Sequence, residues 1–156
     1  MRDENQIGIG AEVVACVGAW DILHLGHILF LERAAALGGT LIIGVLSDQA
    51  TFELHREEAW KPLQPLENRL PVVQSLRQPD IVLPLMSLDI EGWLRAIGAT
   101  VFAVSEEDAE KAPFEAAIDW MMGAGRRVEV LPRTPDLSTE KIVGRYVAWR
   151  RERDGS

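Results

Sequence analysis

The chain has 156 residues, 47% of them apolar and 26% charged, the balance of a soluble globular protein long enough to bury a core as one domain. Its formal net charge of −8 speaks against a general nucleic-acid binder, which needs a basic field to displace counterions from phosphates. It leaves room for an enzyme that holds a small phosphorylated ligand in a local basic cluster. No run approaches the roughly 18 apolar residues of a membrane span, and residues 1–6 are too polar for a signal peptide, so no membrane partner and a cytoplasmic location are expected.

In chain order, residues 13–17 read as a buried strand, and the single cysteine, Cys16, falls inside it as a small core residue with no disulfide partner. A turn over residues 18–27 leads into residues 28–37, whose apolar positions recur at helical spacing. Residues 41–46 are a second apolar run without polar interruption, as expected of a parallel strand covered on both faces, and Ser47 and Asp48 end it. The polar stretch 49–61 is a short helix or a mobile loop, bounded by Pro62 and Pro65, after which residues 66–76 return to helical spacing. A third strand is expected at 81–85, a helix at 88–97 stopped by Gly98, and a fourth strand at 100–104. A helix at 113–123 with proline in its first turn, a fifth strand at 128–131 and a last helix from 138 to about 151 complete the series. The charged residues 152–156 are expected to fray. Five short strands separated by helices predict a single α/β domain of Rossmann-like type: a five-stranded parallel sheet with helices on both faces, its core running from about residue 12 to about residue 151 between flexible ends.

Ligands in such sheets bind at the carboxyl ends of the strands, where strand order reverses. The turn 18–27 falls there, with Gly18, Ala19, Trp20 and Asp21 leading to His24 and His27. Two histidines three residues apart at a helix start share one face beside unpaired N–H groups and the positive dipole end, which makes an anion site. A metal half-site or a pair of surface histidines is the alternative for that spacing. Gly26, between them, would let a bulky ligand approach the backbone. Asp48, Ser105 and the loop 133–139 fall on the same sheet edge. That loop puts Arg133, Thr134, Ser138 and Thr139 before and at the start of the last helix, where Ser138 alone would be an ordinary N-cap; with the arginine, the set reads as a grip on the outer phosphates of a nucleoside triphosphate.

The stretch Asp21-Ile22-Leu23-His24-Leu25-Gly26-His27 resembles the D-x-L-H-x-G-H signature of cytidylyltransferase-type nucleotidyltransferases, and Arg133-Thr134 with Ser138-Thr139 resembles their late R-T-x-G-[IV]-S-T-T motif. Residues 65–69, 75–77 and 80–82 resemble the family's intervening E-x-R and L-[KR]-x-V-D-x-V stretches. The resemblance implies that an alcohol phosphate attacks the α-phosphate of a nucleoside triphosphate, accompanied by Mg²⁺, and releases pyrophosphate. It implies that His24 and His27 stabilise the transition state, with Arg133 and Ser138 as further catalytic candidates. Thr134, Ser138 and Thr139 would hold the outer phosphates, and Arg133 and Arg77 would supply fixed positive charge. Asp21 would orient a histidine or bind metal-linked water. Arg69 would meet the acceptor or support the pocket, against the alternative of a surface pair with Glu67.

Three departures stand out. Where relatives carry lysines after the aspartate matching Asp48, this chain has residues 51–56, so His55, Arg56 or the later Lys61 are the candidates to meet the acceptor phosphate. The family's glycine-containing segment after the fourth strand is here Ser105-Glu106-Glu107-Asp108, and Asp136 replaces the glycine of the late motif. Three functions are open. The first is a cytidylyltransferase acting on a small alcohol phosphate such as glycerol 3-phosphate, favoured by the opening of the late motif. The second is an adenylyltransferase acting on a heptose-type sugar phosphate or a flavin, favoured by residues 61–69, which resemble R-P-V-N-P-x-E-x-R. The third is a non-catalytic nucleotide-binding module. Of the tryptophans, Trp60 is placed to cap a lid over 49–61, and Trp149 with Tyr146 and Val147 to pack against the core or a second subunit, the resemblance implying a homodimer.

Overall fold

The computed structural model describes residues 11–155. The polar opening at 1–6 and Ser156 lie outside the described residues. Strands β1 (Val13–Gly18), β2 (Thr40–Leu46), β3 (Ile81–Leu85), β4 (Val101–Ser105) and β5 (Arg127–Leu131) form one sheet in the order β3-β2-β1-β4-β5. Every pairing is parallel. Helices α1 (Leu25–Ala36), α2 (Asp48–Leu54), α3 (Leu66–Gln74), α4 (Ile90–Ala96), α5 (Glu106–Ala109), α6 (Ala112–Gly123) and α7 (Thr139–Asp154) fill the connections. The expected Rossmann-like architecture is therefore present.

Its cause lies in the uninterrupted apolar runs of the central strands. Alternate residues point to opposite faces, so a strand that is apolar throughout must be covered on both. Ala15 and Val17 of β1 join Leu46, Phe102, Val104, Ile90, Leu94 and Phe114 under α4 and α6. Val14 and Cys16 join Leu31, Ala34, Leu41, Ile43 and Val73 under α1 and α3. Burial raises the Cys16 thiol far above its ordinary range, so it stays an un-ionised core residue.

Several boundaries differ from expectation. The stretch 49–61 divides into α2, capped by Ser47 through its hydroxyl to the Ala50 N–H (3.1 Å), and a turn-rich segment in which the Trp60 N–H donates to the His55 carbonyl (3.3 Å) across Ala59 at φ +52°. The segment after the fourth strand, for which the sequence predicts no element, closes into the short α5, because the Ser105 hydroxyl accepts the Asp108 N–H (3.1 Å). The charged end does not fray at 152: α7 continues to Asp154 and stops at Gly155, whose left-handed φ of +70° suits glycine. Arg150 and Asp154, one turn apart, pair at 3.0 Å and support this extension. No helix among the described residues is long and apolar enough to cross a membrane.

The chain reverses direction across the sheet between β1 and β4, which are neighbours although far apart in sequence. That crevice, at the carboxyl ends of the two strands, is where segments following β1, β4 and β5 converge.

Candidate functional site

The turn after β1 is conformationally strained and tightly bonded. Trp20 and Ile22 hold φ of +54° and +45°, values costly for residues with a Cβ. The Trp20 ring folds back into the core, where its Nε1 donates to the Gly44 carbonyl (3.1 Å), behind the His27 ring at 5.8 Å. Trp20 is thus a buttress of the turn and not a surface on which a base could stack.

His24 is the N-cap of α1. Its Nδ1 accepts the Gly26 N–H (3.0 Å), while His27 Nδ1 reaches back to accept the His24 N–H (3.2 Å), a reciprocal capping box built from two imidazoles. An Nδ1 that accepts a hydrogen bond carries no proton, so each neutral ring bears its proton on Nε2. The ring centroids are 4.0 Å apart. Burial and then the neighbouring His24 lower the His27 pKa to about 4, and burial and then Arg133 lower that of His24. At neutral pH the pair is two uncharged Nε2–H donors. Gly26 serves this arrangement: a Cβ there would lie 2.8 Å from His24 Cε1, so what the glycine admits is the His24 ring, where a ligand was expected.

Both histidines line a cavity of about 460 Å³. Gly18, Ala19, Trp20, Asp21 and Gly26 border it on the β1 side, Ser105 and Asp108 on the β4 side, and Arg133, Thr134, Ser138 and Thr139 on the β5 side; His55 closes it from the segment after α2. Ser138 caps α7 through the Lys141 N–H (3.2 Å), and Thr139 Oγ1 donates to the Asp21 carbonyl (3.3 Å). Arg133 Nη1 pairs with Glu107 at 3.2 Å. Asp136, which replaces the glycine of the late motif, turns to Lys141, whose ammonium holds its carboxyl below the usual range. His55 stacks edge-on against Trp60 (4.9 Å between centroids) and pairs with Glu58 at 3.4 Å. Trp60 lines the cavity beside His55.

Other candidates lie elsewhere or act differently. Asp21 orients no histidine: its two carboxylate oxygens accept the N–H groups of Leu63 and Gln64. Arg69 makes no surface pair with Glu67. It is 1% exposed, and its guanidinium donates to the carbonyls of Gln64 and Ala19 and to Asp48 Oδ1 at 2.6 Å, so it supports the pocket from behind. Asp48 is spent on that pair and does not line the cavity. Arg77 precedes β3 and therefore sits at the sheet's amino edge, exposed and paired with Glu32 (2.9 Å), and does not line the cavity. Arg56 is exposed outside the cavity. Lys61, over the Phe52 ring at 5.3 Å, lines a separate cleft between residues 60–63 and α7. Lys111 and Glu107, which sequence reasoning passed over, line the main cavity; Lys111 pairs with Asp108 at 2.7 Å. Their acidic and basic neighbours three residues away resemble any surface turn, so no local signal marked them.

Among the described residues no three His, Cys, Asp or Glu side chains are grouped as a metal site, and of the cavity's carboxylates Asp21, Glu107 and Asp108 are each engaged by N–H groups or a cation, so the lining does not fit a protein-built Mg²⁺ site. A divalent ion arriving with a triphosphate would rest on phosphate oxygens.

A family model described as cytidylyltransferase-like matches residues 15–145. The chain is 35% identical over 135 residues to the bifunctional protein HldE of Photorhabdus laumondii and 33% identical over 152 residues to that of Yersinia pestis, alignments covering 86% and 92% of this chain. The chain spans only 27% and 31% of those relatives' lengths. Among solved structures, the lipopolysaccharide core biosynthesis protein of Thermoplasma volcanium superposes with a TM-score of 0.63 at 22% identity, covering 80% of this chain and 98% of that one. Pantoate-beta-alanine ligase of Francisella tularensis, with beta-gamma ATP and beta-alanine, superposes at 0.56 and 15% identity over 84% of this chain and 63% of its own. These two share the fold.

Proposed function

The chain belongs to the cytidylyltransferase-like family, and from that premise we propose that it is a nucleotidyltransferase joining a nucleoside monophosphate to a phosphorylated small molecule. An oxygen of the acceptor phosphate attacks the α-phosphorus of a nucleoside triphosphate; the new P–O bond forms as the bond from the α-phosphorus to the bridging oxygen breaks, and pyrophosphate leaves. The acceptor phosphate is already a nucleophile, so the protein's task is positioning and stabilisation of charge. The carrying observation is the pair of Nε2–H donors, fixed in tautomer by the helix cap, facing one cavity with the N-terminus of α7. The imidazoles donate to α-phosphate and leaving-group oxygens as charge builds there. Ser138, whose oxygen accepts the Lys141 N–H, presents its hydroxyl proton, and α7 its N-terminal dipole, to the outer phosphates, while the Thr139 hydroxyl stays donated to the Asp21 carbonyl. Arg133 joins them by exchanging Glu107 for a phosphate oxygen.

Of the two base and acceptor pairs, adenylyl transfer to a sugar phosphate stands first. Its support is the likeness of residues 61–69 to the heptose-type motif together with relatives named HldE. Cytidylyl transfer to glycerol 3-phosphate, supported by Arg133-Thr134, stands second. The test is pyrophosphate release with ATP and with CTP across a panel of sugar and alcohol phosphates. Turnover with ATP and a sugar phosphate is expected. Nucleotide binding without turnover on any pair would leave a non-catalytic module. As the assembly we propose a homodimer through the outward stripe of Ile142, Tyr146 and Trp149 on α7, three exposed residues spaced one helical turn apart.

A further inference from the structure

Asp21 bonds to two segments that the rest of the site keeps apart. Its carboxylate accepts the N–H groups of Leu63 and Gln64, at the end of the segment that carries His55 and Trp60 over the cavity. Its own carbonyl accepts Thr139 Oγ1, in the first turn of α7. Between these two arms lies an open cleft, lined by Trp60 and Leu63 on one side and Val143 and Val147 on the other. Asp21 is 3% exposed, and the positive φ of Trp20 and Ile22 on either side holds it facing both arms. Arg69 reinforces the joint by donating to the carbonyls of Gln64 and Ala19. Strain of this sort persists only where surrounding bonds over-determine it, and here those bonds run to both arms.

We infer that Asp21 is a positioning residue that couples the α7 end of the site to the lid over residues 55–64, so that nucleotide bound at one orders the other and prepares the acceptor side. The inference rests on the proposed nucleotide site. Phosphate oxygens gathered at the Ser138 hydroxyl and the N-terminal end of α7 hold its first turn in place. Thr139 then keeps its bond to the Asp21 carbonyl, and the Asp21 carboxylate keeps the N–H groups of Leu63 and Gln64. Nucleotide thus binds before the acceptor, and the acceptor meets a lid already set.

The test is amide hydrogen exchange on the intact chain, free and with saturating Mg²⁺ and an α,β-methylene analogue of ATP or CTP. Nucleotide is expected to slow exchange at residues 55–64 by about fivefold or more, the lower end of measured couplings between sites, as well as at the start of α1. In Thr139→Val, at analogue concentrations that again saturate, the start of α1 stays protected and residues 55–64 lose their added protection; Thr139→Ser, which keeps the donating hydroxyl, restores it. Asp21→Asn, with folding checked by circular dichroism, behaves as Thr139→Val. Protection at 55–64 that survives both Thr139→Val and Asp21→Asn overturns the coupling while leaving the nucleotide site standing. An unmodified chain whose α1 gains no protection from either analogue overturns the nucleotide site, and the coupling with it.

Discussion

The histidine cap makes stability depend on pH in a window set by His27. In the unfolded chain a histidine takes its proton at about pH 6.5. In the folded chain burial, followed by the neighbouring His24, lowers that value to about 4. Above the unfolded value both states are neutral and the contribution is fully present. As pH falls from about 6.5 toward 4 the unfolded state binds a proton that the folded state refuses, so stability is lost across that window. A separation of about 2.5 units, at about 1.36 kcal/mol per unit, corresponds to about 3 kcal/mol. The perturbation is His27→Asn: the amide oxygen can accept the His24 N–H in place of Nδ1 but does not titrate. Urea unfolding of both proteins at neutral pH and near pH 4 separates this effect from the carboxylates, which titrate alike in both. The unmodified protein should lose about 3 kcal/mol more than the variant on acidification. Equal losses would refute the assignment of a buried, neutral, cap-bonded His27.

Other expectations concern individual side chains. His24→Ala and His27→Ala should each lower kcat by about a hundredfold or more, the scale of losing one transition-state donor, as measured by pyrophosphate release. Arg69→Met should destabilise the fold by about 2–3 kcal/mol, because buried carbonyls lose a charged donor while the half-exposed Asp48 falls back on water; thermal or urea unfolding reads it. Glu107→Gln frees Arg133 without removing it and should tighten triphosphate binding severalfold in calorimetry, a small effect because the pair is half exposed. If the proposed homodimer forms through α7, Trp149→Glu should shift it toward monomer in sedimentation.

The sheet was legible because its cause is local. Residues 41–46 carry five apolar side chains and a glycine with no polar residue among them, and no single-faced strand tolerates that. Two walls of the cavity were legible for a related reason: His24 with His27, and Ser138 with Thr139, each lie within one helix start, and helix starts after strands fall on the carboxyl edge. The segment 49–61 was ambiguous because its order comes from Ala59 in a left-handed conformation and from the Trp60–His55 bond, neither of which has a periodic signature.

Charged residues were harder to place, and the reason is the same each time. Arg77 reads as a phosphate ligand from its motif, yet a residue that precedes a strand stands at the amino edge, and topology takes it away from the site. Arg69 and Asp21 look like ligand contacts, but their partners Gln64, Ala19, Asp48, Leu63 and Thr139 are protein groups up to 118 residues distant. The amino-acid sequence by itself determined the strand and helix order, the family and the two helix starts that face the cavity, because those depend on spacing along the chain. Only the tertiary structure decided which charges are spent on the protein and which face a ligand, because a hydrogen bond is satisfied by whatever lies within about 3 Å, and the chain path alone does not say what that is.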